Sequence, residues 1–547
     1  MELCSVSDNQ RVNMNQQTPS MTQTTIRKCA IPPVALRKEI DKLANALHLW
    51  DSEWLDNALI RVVDRPLNVG ARVIEPPKLD FASEQSAVDT RNYTWNGRRY
   101  LAGAMCTVWA AYAFLDPRDR MDNRQLEQFL AAFVAECNRR GLGIGPPAEW
   151  DVRDSRYVTI DETFQVAANN NCEFVFTVHS DSGDVHADIK YSERSYDLVS
   201  QCVRLRTVRD VMERGRRLTL SNIVNKTNIK LGGINYTLSN SIMYAFFVFP
   251  PSQFTFIKAC SFSAKETLGS ESLYIGIGMN HPGGGLGIAN MEPEANTTST
   301  TPSVVGFAAN VGANNEYDIA GDFVLQAPCR DEKANIIGDI LERCLDYYQR
   351  GRKHLPQRVI IYRNGCSEGQ YRTILQYEVP LMKYLLSQYG CDAKITIIVV
   401  NKLQTIRLFK KNINGRDKPS DQNIFPGVVV DHTVVHPIFN EFILNSHRAL
   451  QGTARAPKYT VLYDDNEFTI DVLEAITYYL CYGHQIVFMP TSLPSPLYIA
   501  NRYAERGRML YQRWVEHDKH SDVNYHIVSN KLCFYNSKKL FGRRINA

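Results

Sequence analysis

Long hydrophobic runs are missing from these 547 residues: the strongest candidates, 244–249 and 395–400, have the length of a strand and not of a membrane span. The first residues carry no apolar signal-peptide core either, so the sequence predicts a protein that works inside the cell, without a membrane. The thirteen cysteines include no C-x-x-C pair, which argues against a zinc ribbon and for reduced thiols. A marked excess of either charge is lacking, with 62 Lys and Arg against 58 Asp and Glu. The net charge of +4 permits a nucleic-acid partner without demanding one. Internal repeats and blocks of like charge are lacking too, and the basic ending Lys538-Lys539 with Arg543-Arg544 is short enough to be a solvated surface.

What is present is ordinary globular material. With 44% apolar and 22% charged residues, wholesale disorder is excluded, and the length suggests two to four domains. The first twenty-five or so residues are polar; after Pro32-Pro33 the spacing predicts an amphipathic helix over 35–49. Past Glu75-Pro76-Pro77 short strands and helices begin, with a strand expected over 174–178 and a helix over 196–206. After Gly232-Gly233 a buried strand is expected over 273–277, a long Gly, Pro, Thr and Asn-rich loop over 280–314, and a returning strand over 323–325. Helices over 334–348 and 371–389 then alternate with strands over 358–362 and 395–400, which is α/β architecture.

The run Tyr362-Arg363-Asn364-Gly365-Cys366-Ser367-Glu368-Gly369-Gln370 resembles the PIWI signature of Argonaute proteins, in which a strand ends at a catalytic Asp followed by Gly-x-Ser-Glu-Gly-Gln. The likeness continues in order through 395–409, Gln451-Gly452-Thr453-Ala454-Arg455-Ala456-Pro457 and Leu462-Tyr463-Asp464-Asp465-Asn466. Backward it reaches Leu220-Ser221-Asn222, Lys226 and Ile229-Lys230-Leu231-Gly232-Gly233, similar to the family's MID–PIWI junction, and Met1-Glu2-Leu3-Cys4, similar to its second linker. The resemblance implies an α/β chain with a helical linker over 1–75, a Rossmann-like MID domain over 76–232 and an RNase H-like PIWI domain over 233–547. The family's N-terminal and PAZ domains find no match, and PAZ holds a guide's 3′ end. The expectation is therefore a chain that anchors only the 5′ end and the seed backbone, as a natural short form or as a truncated one.

RNase H chemistry uses two Mg²⁺ ions, which need anionic oxygen ligands. The family's first catalytic Asp falls here at Gly278, before His281-Pro282; the second falls at Asn364, a neutral amide; and the last ligand, His or Asp after the Pro-x-Pro run, falls at Asn501. The family's Glu finger aligns with Asn335 or Glu332, an open choice. Rescue by Asp331, Glu332, Asp464 or Asp465 would need ligand geometry held closely, and Asp464-Asp465 reads more simply as a surface turn.

A guide's 5′ phosphate needs converging cations, because a desolvated dianion is costly unless matched. The family's pocket residues match His186, Lys190, Gln201, Lys226, Lys230 and Arg506, with Lys226 and Lys230 one helical turn apart and Lys190 and Lys226 expected as surface cations around a cleft. His186 replaces the usual Tyr that stacks on the first base; protonated, it would add charge near the phosphate. With the altered metal positions this resembles the worm-specific secondary Argonautes, whose guides carry 5′ triphosphates. Lys402, Arg407, Arg455, Ser492 and Tyr498 match residues that grip the seed phosphates, and Ile26 matches a linker residue that wedges against the guide's bases.

The expected function is a guide small-RNA-binding protein that silences paired transcripts by recruiting effector proteins without cutting, with target RNA read by base pairing. No cofactor is expected for catalysis; a Mg²⁺ at the guide's 5′ phosphate stays open, as does cytoplasm against nucleus. Two rivals remain at this point: an endoribonuclease with unconventional metal ligands, and a protein-interaction remnant that binds no RNA.

Overall fold

The computed structural model describes residues 19–181, 185–239, 246–249, 255–256, 269, 271–282, 301–312, 318–328, 336–364, 366–518 and 524–546. Two helices lead in, α1 (Pro19–Cys29) and α2 (Pro33–Ala46); Pro33 occupies the first turn of α2, where a missing N–H costs nothing. Strand β1 (Ala71–Ile74) follows.

The next stretch alternates strand and helix: β2 (Trp109–Leu115), α3 (Asn123–Arg140), β3 (Glu149–Asp154), α4 (Ile160–Asn169), β4 (Phe174–His179), α5 (His186–Ser195), β5 (Val199–Arg204), α6 (Leu205–Met212) and α7 (Arg217–Lys230). The four strands are parallel in the order β3-β2-β4-β5. Every residue of β2 and β4 is buried, as a parallel sheet covered on both faces requires. Helix α3 begins at a reciprocal capping box between Asp122 and Gln125 and stops at Gly141, whose φ of +95° suits glycine. The expected helix over 196–206 is overturned here. Residues 199–204 pair with β4 as an edge strand because Val199 and Val203 supply buried apolar area on the sheet, and helix resumes only at Leu205.

Among the described residues the larger sheet has eleven strands. Besides β1 it contains β6 (Phe246–Phe249), β7 (Thr255–Phe256), β8 (Ser272–Asn280), β9 (Ser303–Ala309), β10 (Ala320–Gln326), β11 (Arg358–Asn364), β12 (Lys394–Asn401), β13 (Val428–Val430), β14 (Asn440–Asn445) and β15 (Lys458–Asp464). Their order is β7-β6-β1-β13-β14-β15-β12-β11-β8-β9-β10. At one end of the sheet β8, β9 and β10 form an antiparallel meander, while β8, β11 and β12 run parallel, the α/β arrangement expected of an RNase H-like unit. The loop expected over 280–314 contains β9; its run of apolar residues is buried throughout, so tertiary pairing overrides the loop-like composition around it. Helices α8 (Ile337–Arg352), α9 (Val379–Gln388), α10 (Ile470–Leu480), α11 (Ser495–Asp518) and α12 (Tyr525–Leu532) cover the sheet. A π-helical turn at Ile374–Glu378 leads into α9 and aims Glu378 at the buried Arg363, which it binds at 2.9 Å.

Helix α11 lies directly on β8 and β9, and two glycines make that approach possible. A Cβ on Gly306 would sit 2.2 Å from the Ala500 carbonyl oxygen, and one on Gly278 would sit 2.3 Å from Asn501 Oδ1. One apolar cluster runs from Trp109, Phe133 and Phe176 of the smaller sheet to Phe323, Tyr503, Leu510 and Trp514 of the larger unit, so the two sheets share a core. The free thiols Cys137, Cys172, Cys344, Cys391 and Cys481 are buried within these layers. Among the described residues no helix is long and apolar enough to cross a membrane.

Candidate functional site

Helix α5 carries His186, Lys190 and Glu193 at i, i+4 and i+7, which places them on one face. That face meets β5, the end of α7 and the middle of α11. Lys190 is 2% exposed, and its Nζ donates to Glu193 Oε2 at 2.7 Å, Ser200 Oγ at 2.7 Å and Ser200 O at 3.1 Å. Lys230 closes α7 and donates to the same Ser200 carbonyl at 2.9 Å. From α11, the Arg506 guanidinium donates to the other Glu193 oxygen at 2.9 Å. Helix α5 is further held to α11 by Arg513 with Asp188 at 3.2 Å and by Tyr191 stacked on His517. Three cations from three distant parts of the chain thus converge on one carboxylate and one serine.

Burial pushes the Lys190 and Lys230 ammonium groups down from their ordinary range, and Arg506 adds to this in both. Burial would raise Glu193, but Lys190, Arg506 and Lys230 outweigh it and hold its carboxyl at about 2. His186 is pushed down to about 3, by burial first and then by Lys190, Arg506 and Lys230. Without an anion beside it the ring is therefore neutral at pH 7, and the charge that a protonated His186 would add is absent there. The expectation of Lys190 as a surface cation is corrected, because pairing with Glu193 and Ser200 lets it sit inside. Lys226 is partly exposed, and burial, Lys190 and Arg502 lower its pKa. Gln201 is buried, its Nε2 donates to Cys202 O at 3.2 Å, and its Oε1 has no hydrogen-bond partner among the described residues.

Arg502, Glu193 and Ser200 are site residues that the sequence reading did not single out. Arg502 and Arg506 follow Tyr498 at successive turns of α11, a spacing visible in the sequence. The Arg502 guanidinium lies 5.5 Å from the Tyr498 ring, which in turn packs edge-on against His484 at 4.7 Å. Arg544 is not part of a solvated basic tail as expected: it is 4% exposed and donates to the His484 carbonyl at 2.7 Å.

A second basic region lies in a cleft of about 420 Å³ lined by Tyr93, Lys402, His447, Arg448, Arg455 and Pro490. Lys402 donates to Ser492 Oγ at 3.4 Å. Arg407 donates to the Gln404 carbonyl at 2.7 Å, and burial and Arg455 lower its pKa. The segment just after helix α1 reaches this side, since Thr453 Oγ1 donates to the Ile31 carbonyl at 2.8 Å; Ile26 on the helix is 54% exposed.

The three positions matched to metal ligands come together. Gly278 lies under Asn501, and Asn364 follows Arg363, the strand partner of Ile277. These three side chains offer no anionic oxygen, the ligand type that Mg²⁺ prefers. The Glu-finger candidates Asn335 and Glu332, like Asp331, lie outside the described residues. Asp464 and Asp465 are engaged at the end of β15: Asp464 accepts from the Phe468 N–H at 2.8 Å, and Asp465 pairs with Lys383 at 3.0 Å. At the α5 site the carboxylate of Glu193 is likewise taken up by cations, so the protein groups there do not by themselves fit a Mg²⁺ ion.

A model of the Piwi domain matches residues 174–512, from β4 to within α11. Argonaute protein wago-1 of Caenorhabditis elegans is 36% identical over 515 residues, covering 93% of this chain and 51% of that protein; the chain thus spans about half the length of that relative. A crystal structure of Kluyveromyces polysporus Argonaute with a guide RNA superposes with a TM-score of 0.76 at 18% identity, covering 97% of this chain and 62% of that one. The C-terminal lobe of a budding yeast Argonaute gives 0.69 at 19% identity, covering 88% of this chain and 95% of that one. With its Piwi match over more than half its length and its RNase H-like sheet, the chain belongs to the Argonaute family.

Proposed function

We propose that the chain holds a small guide RNA by its 5′ end and silences paired transcripts by recruiting effector proteins, without cutting them. The observation that carries this reading is the convergence of Lys190, Lys230 and Arg506, with Lys226 and Arg502 beside them, where α5, α7 and α11 meet. Three buried cations around one carboxylate leave an excess of positive charge that neutral groups do not require and a polyanion would match. In this reading residues 76–232 act as the MID unit and 233–547 as the PIWI unit, with 1–75 as the linker. His186 and Gln201 complete the 5′ site. Lys402, Arg407, Arg455, Ser492 and Tyr498 track the seed phosphates, and Ile26 abuts the bases. The cationic excess suits a 5′ triphosphate better than a monophosphate, and target choice lies in the guide's own bases.

Absence of cleavage is supported by Gly278, Asn364 and Asn501, which cannot supply charged ligands. The test is a reaction of the purified chain, loaded with a short guide, on a labelled complementary target in Mg²⁺. The reading expects the target to be retained intact; guide-directed cuts that disappear with chelator would contradict it.

A further inference from the structure

Glu193 is an anion at the heart of the cationic cluster, paired with both Lys190 and Arg506. Its carboxylate is fully buried and sits where an incoming anion would find its strongest partners. Oε2 accepts from Lys190 Nζ, from Ser200 Oγ and from the Ser200 backbone N–H at 2.9 Å, and Oε1 accepts from Arg506. The three donors of Lys190 are used up: one goes to Glu193 and two go to Ser200. With Glu193 in place, Lys190 has no hydrogen left for a phosphate, and Arg506 has one arm on Glu193 and the other on Asn546 at 3.3 Å.

We propose that Glu193 is a built-in counter-ion that occupies the anion position of the empty site and competes with the guide's 5′ phosphate for Lys190 and Arg506. The proposal rests on the reading of this site as the guide's 5′ anchor. An unpaired buried ammonium is costly, so a site lined by Lys190, Lys230 and Arg506 needs a negative charge to persist without ligand. Glu193 supplies it. The same charge then repels an arriving phosphate at short range, and Lys190 must exchange one carboxylate hydrogen bond for one phosphate hydrogen bond instead of gaining a new one. Glu193 therefore sets how strongly the site distinguishes a phosphorylated 5′ end from a hydroxyl one, and lowers that affinity in return for a stable empty protein.

Isosteric Glu193→Gln removes the charge and keeps an acceptor; Glu193→Ser removes both charge and bulk. The full chain and both variants are titrated with identical short RNAs ending in 5′ hydroxyl or 5′ monophosphate, and each protein is melted with and without RNA. The expected result is monophosphate binding tightened about ten-fold or more in either folded variant, with hydroxyl binding changed less than about three-fold. The RNA-free variants should melt below the wild type and recover with phosphorylated RNA. Unchanged or weaker monophosphate binding in a folded variant, while the wild type still prefers the phosphorylated end, overturns the proposal. So does a failure of both variants to fold even with phosphorylated RNA, which would make Glu193 structural only. A wild type that does not distinguish the two ends refutes instead the reading of the site.

Discussion

Lys190 and Lys226 answer different questions when mutated, because Lys190 is locked against Glu193 while Lys226 keeps access to solvent. Lys190→Ala leaves a buried carboxylate short of a partner and should cost on the order of 3 kcal/mol of folding stability, read from the denaturation midpoint. Lys226→Ala should leave that midpoint unchanged and weaken binding of 5′-phosphorylated RNA about ten-fold in a filter-binding titration. Away from this site, Arg72 faces three carboxylates, with Glu474 at 2.9 Å and Asp431 and Asp471 alongside. Burial outweighs the opposing Arg72 guanidinium and, with Asp431 and Asp471 adding to it, raises the Glu474 carboxyl to about 8. A carboxyl raised in the folded state favours folding at low pH, and that contribution is lost as pH climbs from its unfolded value, near 4.5, to about 8. Glu474→Gln should therefore raise the melting temperature at pH 9 and leave it nearly unchanged at pH 5. That Lys190, Lys230 and Arg506 would come together was legible in the order of short motifs; their burial was not. Nothing in the sequence around Lys190 distinguishes a solvated lysine from one neutralised by a glutamate three residues on and a serine on the next strand.

Helix α11 carries more of the account than any other element, since Asn501, Arg502 and Arg506 all project from it and it rests on Gly278 and Gly306. Restoring an aspartate at position 278 would drive a side chain into Asn501, whose backbone nitrogen lies 2.8 Å from the added Cβ. Gly278→Asp should cost about 1–3 kcal/mol of stability and yield no guide-directed cleavage, because Asn364 and Asn501 remain neutral. Strong cutting by that single variant would contradict the picture. The long periodic segments, 334–348 and 371–389 as helices and 395–400 as a strand, were legible because their apolar spacing persists over several turns or a full buried run. Residues 199–204 were not. A six-residue run of Val, Ser, Gln, Cys, Val and Arg has no decisive period, and parallel pairing to β4 settles it.

At the scale of the molecule, the core that joins both sheets holds the two halves of the cationic site in register: α5 and α7 come from one side and α11 from the other. Sequence spacing does not reveal that juncture, since Glu193 and Arg506 are separated by more than half the chain. The central claim is that this juncture reads the 5′ end of a guide RNA. Its most direct test is equilibrium binding of the purified chain to otherwise identical short RNAs ending in 5′ hydroxyl, monophosphate or triphosphate, at two salt concentrations. The account predicts that phosphorylated ends bind more tightly, with triphosphate ahead and the advantage shrinking at higher salt; equal binding of all three ends at both salts would contradict it.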